Sequence, residues 1–301
     1  MQNGELKEID VDLIDRNPEN PRIIFRTGEL SQLTESIRKH GVQVPIVVYK
    51  EGKRYVLIDG ERRWRCSIKL NRQKIPALVQ DKPDRLSNLL RMFNIHALRE
   101  QWDLLTISMK LPDVVSLLRE RNESDPTERQ IAEETGLNIA VIRRCKLLMA
   151  LPEKYKQVIL RELQKPKSEQ KFTEDFFIEM ERALTTVERA QPVLVKELGK
   201  EKMRETLITK YQNETISNRV DFRQIAKIAR AEKVGADPVR ARRSLKKLFS
   251  ENTYSIEEAY ESSVAYAYES PRVLRRLLNL RNWSHDEYTK DPQAKIFAGT
   301  A

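Results

Sequence analysis

The sequence predicts an α+β protein: a small mixed α/β unit at the N-terminus, followed by an all-α region that continues to the C-terminus. Short β-prone runs are confined to the first hundred residues, and from about Leu86 onward helical periodicity replaces them. The 301 residues are enough for about two to three domains. We expect a mixed α/β domain over 1–85, a helical domain over 86–165 and a helical C-terminal region over 166–301.

Two β-prone runs, 46–49 and 55–58, flank a polar segment that contains Gly52, which is a hairpin signal. A third run, 75–79, contains Pro76. Because proline lacks a backbone N–H, we expect this run to form an edge strand.

Two helices are expected around these strands. Leu30, Leu33 and Ile37 recur at helical spacing, and Gly41 is well placed to end that helix. The segment 61–70 contains helix formers and lies between the second and third β-prone runs.

A helix-turn-helix is predicted at about 127–150. Thr127 and Gln130 match a capping box, and Gly136 provides the turn. The second helix has one apolar face, and its other face is polar and basic, as a DNA-reading helix requires. The residues expected to contact DNA here are Thr127, Gln130, Asn138, Arg143, Arg144 and Lys146. An ordinary helical hairpin with a solvated charged face is the alternative.

The sharpest local feature is D-G-E-R-R-W-R at 59–65, where a strand gives way to a helix. N–H groups at a helix start favour an anion, and guanidinium groups can fork onto phosphate oxygens. This composition indicates a phosphate site, although it is not a Walker loop. A solvated helix start with Trp64 in the core is the alternative.

Composition excludes several classes of protein. No run of about 18 apolar residues occurs, so we expect no membrane span, and the N-terminal residues do not form a secretory signal. Two cysteines, Cys66 and Cys145, do not form a disulfide scaffold and suit the cytoplasm. The three histidines are far apart and indicate no metal centre.

The chain is basic, with a net charge of +10 from 55 Lys and Arg against 45 Asp and Glu. Residues 219–250 contain ten Lys and Arg against three Asp and Glu, a net charge of +7. We expect Arg242, Arg243, Lys246 and Lys247 in this window to form a second DNA-contacting surface. A solubilising helix face explains the same charges equally well.

Three blocks occur in order: N-P-E-N-P-R-I-I-F at 17–25, G-E-R-R-W-R at 60–65, and the helix-turn-helix that ends at Leu151-Pro152. Together they resemble the ParB family of chromosome and plasmid partition proteins, whose first two boxes have the patterns N-P-x-x-P-R-x-x-F and G-E-R-R-aromatic-R. The resemblance covers about residues 8–165, slightly over half of the chain.

This resemblance implies a dimer that loads on a palindromic double-stranded DNA site and closes into a sliding clamp when its N-terminal domains bind CTP with Mg²⁺. It also implies a location in the cytoplasm, on the nucleoid or a plasmid. The residues that match the family's nucleotide motifs are Gly41, Pro45, Ile46, Gly60, Glu61, Arg62, Arg63, Arg65, Asn94 and Arg99.

The chain departs from the family pattern at two nucleotide motifs. Val44, rather than glutamine, precedes Pro45, and Phe93 occupies the place of a glutamate that the family associates with metal binding and hydrolysis. We therefore expect CTP hydrolysis to be weak or absent. An alternative alignment lets Glu100 or Asp103 supply the carboxylate.

Two further departures concern partners and role. Only about eight residues precede the resemblance, which leaves little room for the basic segment that contacts a ParA-type ATPase in partition members. The C-terminal half does not match the family's short dimerising domain. A transcription regulator that keeps the scaffold without a CTP cycle therefore remains an alternative.

An enzyme is the third hypothesis, because the N-terminal scaffold also resembles sulfiredoxin, which has a nucleophilic cysteine in its G-C-H-R turn. Here Glu61 and Arg62 occupy the cysteine and histidine places. Cys66 lies one helical turn further on and is expected to be a buried, inert thiol.

Overall fold

The computed structural model describes residues 4–20, 27–97 and 102–270. The chain divides into two compact units, an N-terminal unit of residues 1–174 and a C-terminal unit of residues 175–301. The expected class is confirmed, because a small sheet with helices is followed by helices alone. The separate domain boundary expected at residue 85 remains a prediction.

Five strands form one sheet in the N-terminal unit, in the spatial order β1-β5-β3-β4-β2. The strands are β1 Glu5–Asp10, β2 Ile14–Asp15, β3 Ile46–Glu51, β4 Arg54–Asp59 and β5 Lys74–Gln80. β3 and β4 form the predicted antiparallel hairpin, and β3 runs parallel to β5. The apolar core on this sheet is centred on almost fully buried side chains, those of Ile46, Val48, Leu57 and Ile75.

The edge position expected for β5 is wrong. β1, which the sequence did not reveal, pairs antiparallel with β5 and places Glu8 opposite Pro76. On its other side β5 pairs with β3 only from Ala77 onward, opposite Ile46. Pro76 therefore lies just before that pairing starts, where the parallel ladder needs no N–H from it.

Seven α-helices accompany the sheet in the described part of the N-terminal unit. They are α1 Thr27–His40, α2 Glu61–Lys69, α3 Arg85–Met92, α4 Leu104–Asn122, α5 Glu128–Thr135, α6 Ile139–Met149 and α7 Glu153–Leu163. A short π-helix, Phe93–Ala97, follows α3. Helices α3 to α6 share an apolar core centred on Met92, Leu111, Ile131 and Ile142.

The described C-terminal unit is helical. Its helices are α8 Glu174–Ala190, α9 Pro192–Leu198, α10 Lys200–Gln212, α11 Phe222–Ala229, α12 Pro238–Ser250 and α13 Ile256–Ser263. Phe176 packs edge-on against Phe177 and Phe222, with ring centroids 5.1 and 5.3 Å away. The buried pair of Glu181 and Arg204 joins α8 to α10 through two hydrogen bonds of 2.5 and 3.1 Å.

No helix in the described residues is both long and apolar enough to cross a membrane. Both cysteines are buried free thiols, as expected. Burial raises the pKa of the Cys145 thiol to about 12, and Cys66 Sγ lies 3.3 Å from the hydroxyl of Thr34. The burial of Cys145 favours its inert thiol form.

Candidate functional site

Gly60 joins β4 to α2 in a conformation that favours glycine, with φ 98° and ψ 19°. A Cβ at this position would lie 2.6 Å from Cγ2 of Ile46 and 2.9 Å from a terminal nitrogen of Arg63. Both the backbone angle and the close approach of β3 therefore require glycine. α2 therefore begins directly beside Ile46 of β3.

The side chains that follow Gly60 form an ordered cluster of charges. Glu61 is only 5% exposed, and its Oε1 accepts hydrogen bonds from Nε and Nη2 of Arg65 at 2.9 and 2.7 Å. Arg16 Nε lies 3.1 Å from the same oxygen. Asp59 holds Arg63 at 3.0 Å. Two carboxylates thus fix arginines at the start of α2, while the arginines still outnumber them.

The loop that precedes α1 is anchored to this turn. The side-chain amide of Asn20 donates to Glu61 Oε2 at 2.6 Å. Asn17, which is 2% exposed, accepts a hydrogen bond from the backbone N–H of Glu19 and donates to Asn88 on α3 at 3.4 Å. The described part of the first sequence box, residues 17–20, is therefore held by both α2 and α3. Its remaining residues, 21–25, lie outside the described residues.

Gly41, Pro45 and Ile46 lie on elements next to the turn. Gly41 ends α1 with φ 74°, and its N–H donates to the carbonyl of Ile37 at 2.9 Å. Pro45 directly precedes β3, and Ile46, the first residue of β3, forms the floor under Gly60. The structure thus brings Ile46 directly onto the Gly60 turn, while Gly41 closes the helix that packs against α2.

The residues that match the third nucleotide motif are placed differently. The Asn94 amide donates to the carbonyls of Leu90 at 2.9 Å and Glu134 at 3.4 Å, so its described hydrogen bonds face α3 and α5. Phe93 is fully buried, and its ring packs at 84° to that of Trp102 with centroids 5.3 Å apart. Arg99 and Glu100 lie outside the described residues.

The helix-turn-helix has the predicted start and turn. Gln130 N–H donates to Thr127 Oγ1 at 3.2 Å, and Thr127 N–H donates to Gln130 Oε1 at 2.8 Å. Gly136 has φ 71°, and Asn138 caps α6 by accepting from the N–H of Ala140 at 2.7 Å. The capping box is thus confirmed. Thr127, Gln130 and Asn138 support the helix ends while remaining exposed.

The basic side chains of α6 are linked to the start of α5. Arg143 Nε and Lys146 Nζ donate to the two oxygens of Glu128 at 2.8 and 2.9 Å. The hydrogen bonds from Lys146 and Arg143 hold the pKa of the Glu128 carboxyl below its usual range. Arg144 is half-buried, and Ile142 and Cys145 are fully buried on the opposite face. The exposed face therefore presents Arg143 and Lys146, oriented by one carboxylate.

The four basic residues predicted in the C-terminal unit lie on α12. Arg243, Lys246 and Lys247 are exposed, and Arg242 is half-buried. Lys246 pairs with Glu197 on α9, and Lys247 Nζ lies 4.2 Å from the ring centroid of Tyr254. Leu245, Leu248 and Phe249 occupy the buried face of the same helix. The basic side chains thus line the outer side of an amphipathic helix.

Sequence reasoning missed several residues that organise these sites. Arg16 and Asn20 bind Glu61, and Glu19 binds Arg85 and Lys110 with N–O distances of 3.0 and 3.4 Å. Their signal in the sequence is only a cluster of polar residues around two prolines. In the described residues, no group of three or more His, Cys, Asp or Glu is arranged to hold a metal ion.

Comparison with known proteins agrees with the motifs. Residues 1–94 match the ParB N-terminal domain. The probable chromosome-partitioning protein ParB of Pseudomonas putida is 32% identical over 157 residues, which cover 52% of this chain and 51% of the relative. The nucleoid occlusion protein of Bacillus pumilus is 32% identical over 160 residues, or 52% of each chain. The chain thus matches about half the length of these relatives.

Two solved structures also resemble the chain. One is the C-terminally truncated ParB from Caulobacter crescentus complexed to the centromeric parS site, with 24% identity, a TM-score of 0.39, and coverage of 64% of this chain and 90% of that one. The other is a pNOB8-like ParB N-domain, with 15% identity, a TM-score of 0.47, and coverage of 66% and 90%. Residues 1–94 match the ParB N-terminal domain, and through this region the chain is similar to the ParB family.

Proposed function

We propose that this protein is a sequence-specific, CTP-regulated DNA clamp that acts as a dimer in chromosome or plasmid partition. One observation carries the proposal: the arginine-rich turn at Gly60 and the helix-turn-helix are both present in one compact unit. The names of the two relatives, a chromosome-partitioning protein and a nucleoid occlusion protein, support a role on chromosomal DNA.

The Gly60 turn fits a nucleotide phosphate. Gly60 allows the turn to lie directly against Ile46, and the N-terminus of α2 supplies N–H donors and a favourable dipole. Arg62, Arg63 and Arg65 would bind phosphate oxygens, and Gly41, Pro45 and Ile46 would border the pocket. Asp59 and Glu61 keep two of these arginines oriented, which reduces the entropy lost on binding.

The contacts of residues 17–20 suggest how nucleotide binding at the Gly60 turn would affect the DNA-binding helices. Asn20 contacts Glu61 at the turn, while Glu19 pairs with Arg85 on α3 and with Lys110 on α4. α4 packs against α6 of the helix-turn-helix. A nucleotide that binds one arrangement of this loop more tightly would shift the population of helix arrangements, as a clamp requires.

DNA binding would use two surfaces. Asn138, Arg143, Arg144 and Lys146 on or beside α6, with Thr127 and Gln130 at the start of α5, would contact the specific site. Arg242, Arg243, Lys246 and Lys247 on α12 would contact backbone phosphates without sequence preference. The two surfaces lie in different units, so each can be tested by itself.

Hydrolysis of CTP is expected to be weak or absent. Phe93, at the place where the resemblance expects a carboxylate, is fully buried against Trp102. Mg²⁺ binds proteins through few carboxylates together with substrate phosphates, so it would enter with CTP. Robust release of phosphate from CTP by the purified protein with its DNA site would contradict this expectation. Asn94 and Arg99 remain predicted contributors to the pocket.

Calorimetric titration tests nucleotide binding. We expect CTP, and neither ATP nor GTP, to bind the wild type. We expect R62A and R63A each to weaken CTP binding at least tenfold, because each removes about one charge-assisted hydrogen bond. R54A is the matched control, because Arg54 lies in the same sheet and pairs with Asp15 at 2.6 Å. Equal losses in R54A, or no CTP binding by the wild type, would contradict the proposal.

DNA binding by α12 is tested with charge reversal. We expect R242E, R243E, K246E and K247E, combined, to weaken binding to a random duplex and to reduce the dependence of affinity on salt. Reversing charges at Lys50 and Lys53, which are exposed on the β3–β4 hairpin, provides a control in the other unit. Unchanged affinity and salt dependence would indicate that α12 only solubilises the protein.

A second candidate is a transcription regulator that binds DNA without a CTP cycle. The burial of Phe93 favours it, because the motif that resembles the family's catalytic segment is part of an apolar core here. Sequence-specific DNA binding without any nucleotide binding would identify this function.

A further inference from the structure

The C-terminal unit contains a cavity of about 220 Å³ between α8 and α11. Four basic side chains line it, with a single carboxylate: Arg182, Arg223, Lys227, Arg230 and Glu179. None of them belongs to the motifs that resemble the ParB family. The cavity therefore concentrates positive charge in a place that the proposed CTP site does not explain.

Glu179 orients two of the arginines. Arg182 Nη1 lies 2.8 Å from Glu179 Oε1, and Arg223 Nε lies 3.0 Å from Oε2. The carboxylate is mostly buried, at 12% exposure, whereas the two arginine side chains are 51% and 61% exposed. A guanidinium has five N–H donors, so each arginine keeps donors that Glu179 does not use. The Glu179 carboxylate thus fixes the guanidinium groups of Arg182 and Arg223 at the rim of the cavity.

Aromatic rings fix the third basic group. Lys227 Nζ lies 5.0 Å from the ring centroid of Tyr260 and 5.3 Å from that of Tyr268. Cation–π contacts hold the ammonium without neutralising its charge. Tyr268 also lines the cavity.

The floor of the cavity is apolar. Ala183 and Phe222 are buried, and Ala226 lies one turn further along α11. An apolar floor strengthens the attraction between the rim and an anion, because it lowers the local dielectric constant. It also provides a surface for a small organic group. The volume is below the roughly 300 Å³ at which pockets for drug-sized ligands begin, so the ligand must be small.

We propose that this cavity is a second phosphate-binding site, which takes a phosphate ester with its organic group on the apolar floor. Guanidinium forks match phosphate oxygens, and an ammonium adds a point charge beside them. The phosphate can come from a free mononucleotide or from the backbone of DNA. The site is independent of the proposed CTP site in the N-terminal unit.

The experiment uses the full chain carrying R62A and R63A, so that the proposed CTP site does not contribute. Binding of CMP, cytidine and inorganic phosphate is measured by calorimetry, and binding of a random 20-bp duplex by fluorescence anisotropy. R182A and R223A test the site. R219A is the matched control, because Arg219 precedes α11, pairs with Asp175 at 3.5 Å and does not line the cavity. Thermal unfolding checks each variant, and R182K and R223K replace any that is destabilised.

We expect R182A and R223A each to weaken phosphate binding about tenfold, and R219A to change it less than about twofold. Binding of CMP that inorganic phosphate displaces, without binding of cytidine, identifies a free nucleotide as the source. If R182A and R223A lose affinity only for the duplex, the DNA backbone is identified as the source of the phosphate. The proposal is overturned if neither CMP, inorganic phosphate nor the duplex responds to R182A and R223A, or if R219A causes an equal loss.

Discussion

The side-chain amide of Asn20 donates a 2.6 Å hydrogen bond to the carboxylate of Glu61, which is only 5% exposed. This bond joins the first sequence box to the second across 41 residues of chain. Arg65 and Arg16 bind Oε1 of Glu61, while Asn20 binds Oε2, so both oxygens of this buried carboxylate are used. The two boxes therefore act as one structural element.

We expect N20A to lower the free energy of unfolding by about 1–2 kcal/mol, because it removes one donor from a buried carboxylate. Urea denaturation followed by circular dichroism measures the change. N122A is the control, because Asn122 is exposed at the end of α4 and its side-chain oxygen accepts only from the neighbouring Arg121 in the described contacts. Equal stability of N20A and the wild type would mean that the loop is not anchored through Glu61.

G60A tests whether the turn requires glycine. The variant forces a side chain into φ 98° and places its Cβ 2.6 Å from Ile46, so we expect a loss of about 2–4 kcal/mol. G52A is the matched control, because Gly52 also has a positive φ, 62°, but nothing lies within 4 Å of its added Cβ. We expect G52A to cost only about 1 kcal/mol in the same urea denaturation. Similar costs for both variants would show that contact with Ile46 is unimportant.

The sequence predicted the parts of the site that depend on local rules. The helix start after Gly60, the capping box of Thr127 and Gln130, and the β3–β4 hairpin each follow from residues within a few positions of one another. Each of these features has a short-range physical cause, such as a backbone angle or a cap, so periodicity and turn chemistry suffice to find it.

The parts that sequence reasoning missed depend on long-range contacts. β1 has only Ile9 buried, so its pattern does not resemble a strand, and pairing with β5 determines its position. On α2, Ile68 is 45% exposed, whereas the polar Ser67 and the neighbouring Cys66 are buried. The role of Asn20 likewise depends on a partner 41 residues away. Such pairings are fixed by tertiary packing, which overrides local propensity.

The link between Glu128 and the basic face of α6 predicts how DNA affinity can be raised. Glu128 binds both Arg143 and Lys146, so a phosphate must compete with it for their N–H donors. We expect E128Q to tighten binding to a random duplex by about three- to tenfold at low salt and to steepen its salt dependence.

E133Q is the matched control for E128Q. It removes the same charge from α5, but Glu133 pairs with Arg129 on its own helix rather than with α6. Electrophoretic mobility shifts at two salt concentrations measure both variants. Weaker binding by E128Q would mean that the carboxylate positions Arg143 and Lys146 more than it competes for them.

Lys210 predicts a pH dependence of stability in the C-terminal unit. It is 1% exposed, and its Nζ donates to the carbonyls of Glu251, at 2.6 Å, and Tyr254. Burial lowers the pKa of Lys210 to about 8, from an ordinary value of 10.5. Between these two values the amine is protonated in the unfolded chain and neutral in the folded one, so stability rises with pH across this window. Below pH 8 both states are protonated, and the dependence disappears.

We expect the wild type to gain about 2 kcal/mol relative to K210M between pH 8 and pH 10, since each pH unit in the window contributes about 1.4 kcal/mol at most. Urea denaturation of both proteins at each pH measures the difference, in which the titration of all other groups cancels. K202M, which changes an exposed lysine on the same helix, should show no such gain. A difference between wild type and K210M that stays constant from pH 8 to 10 would mean that the two carbonyls keep the Lys210 ammonium protonated despite its burial.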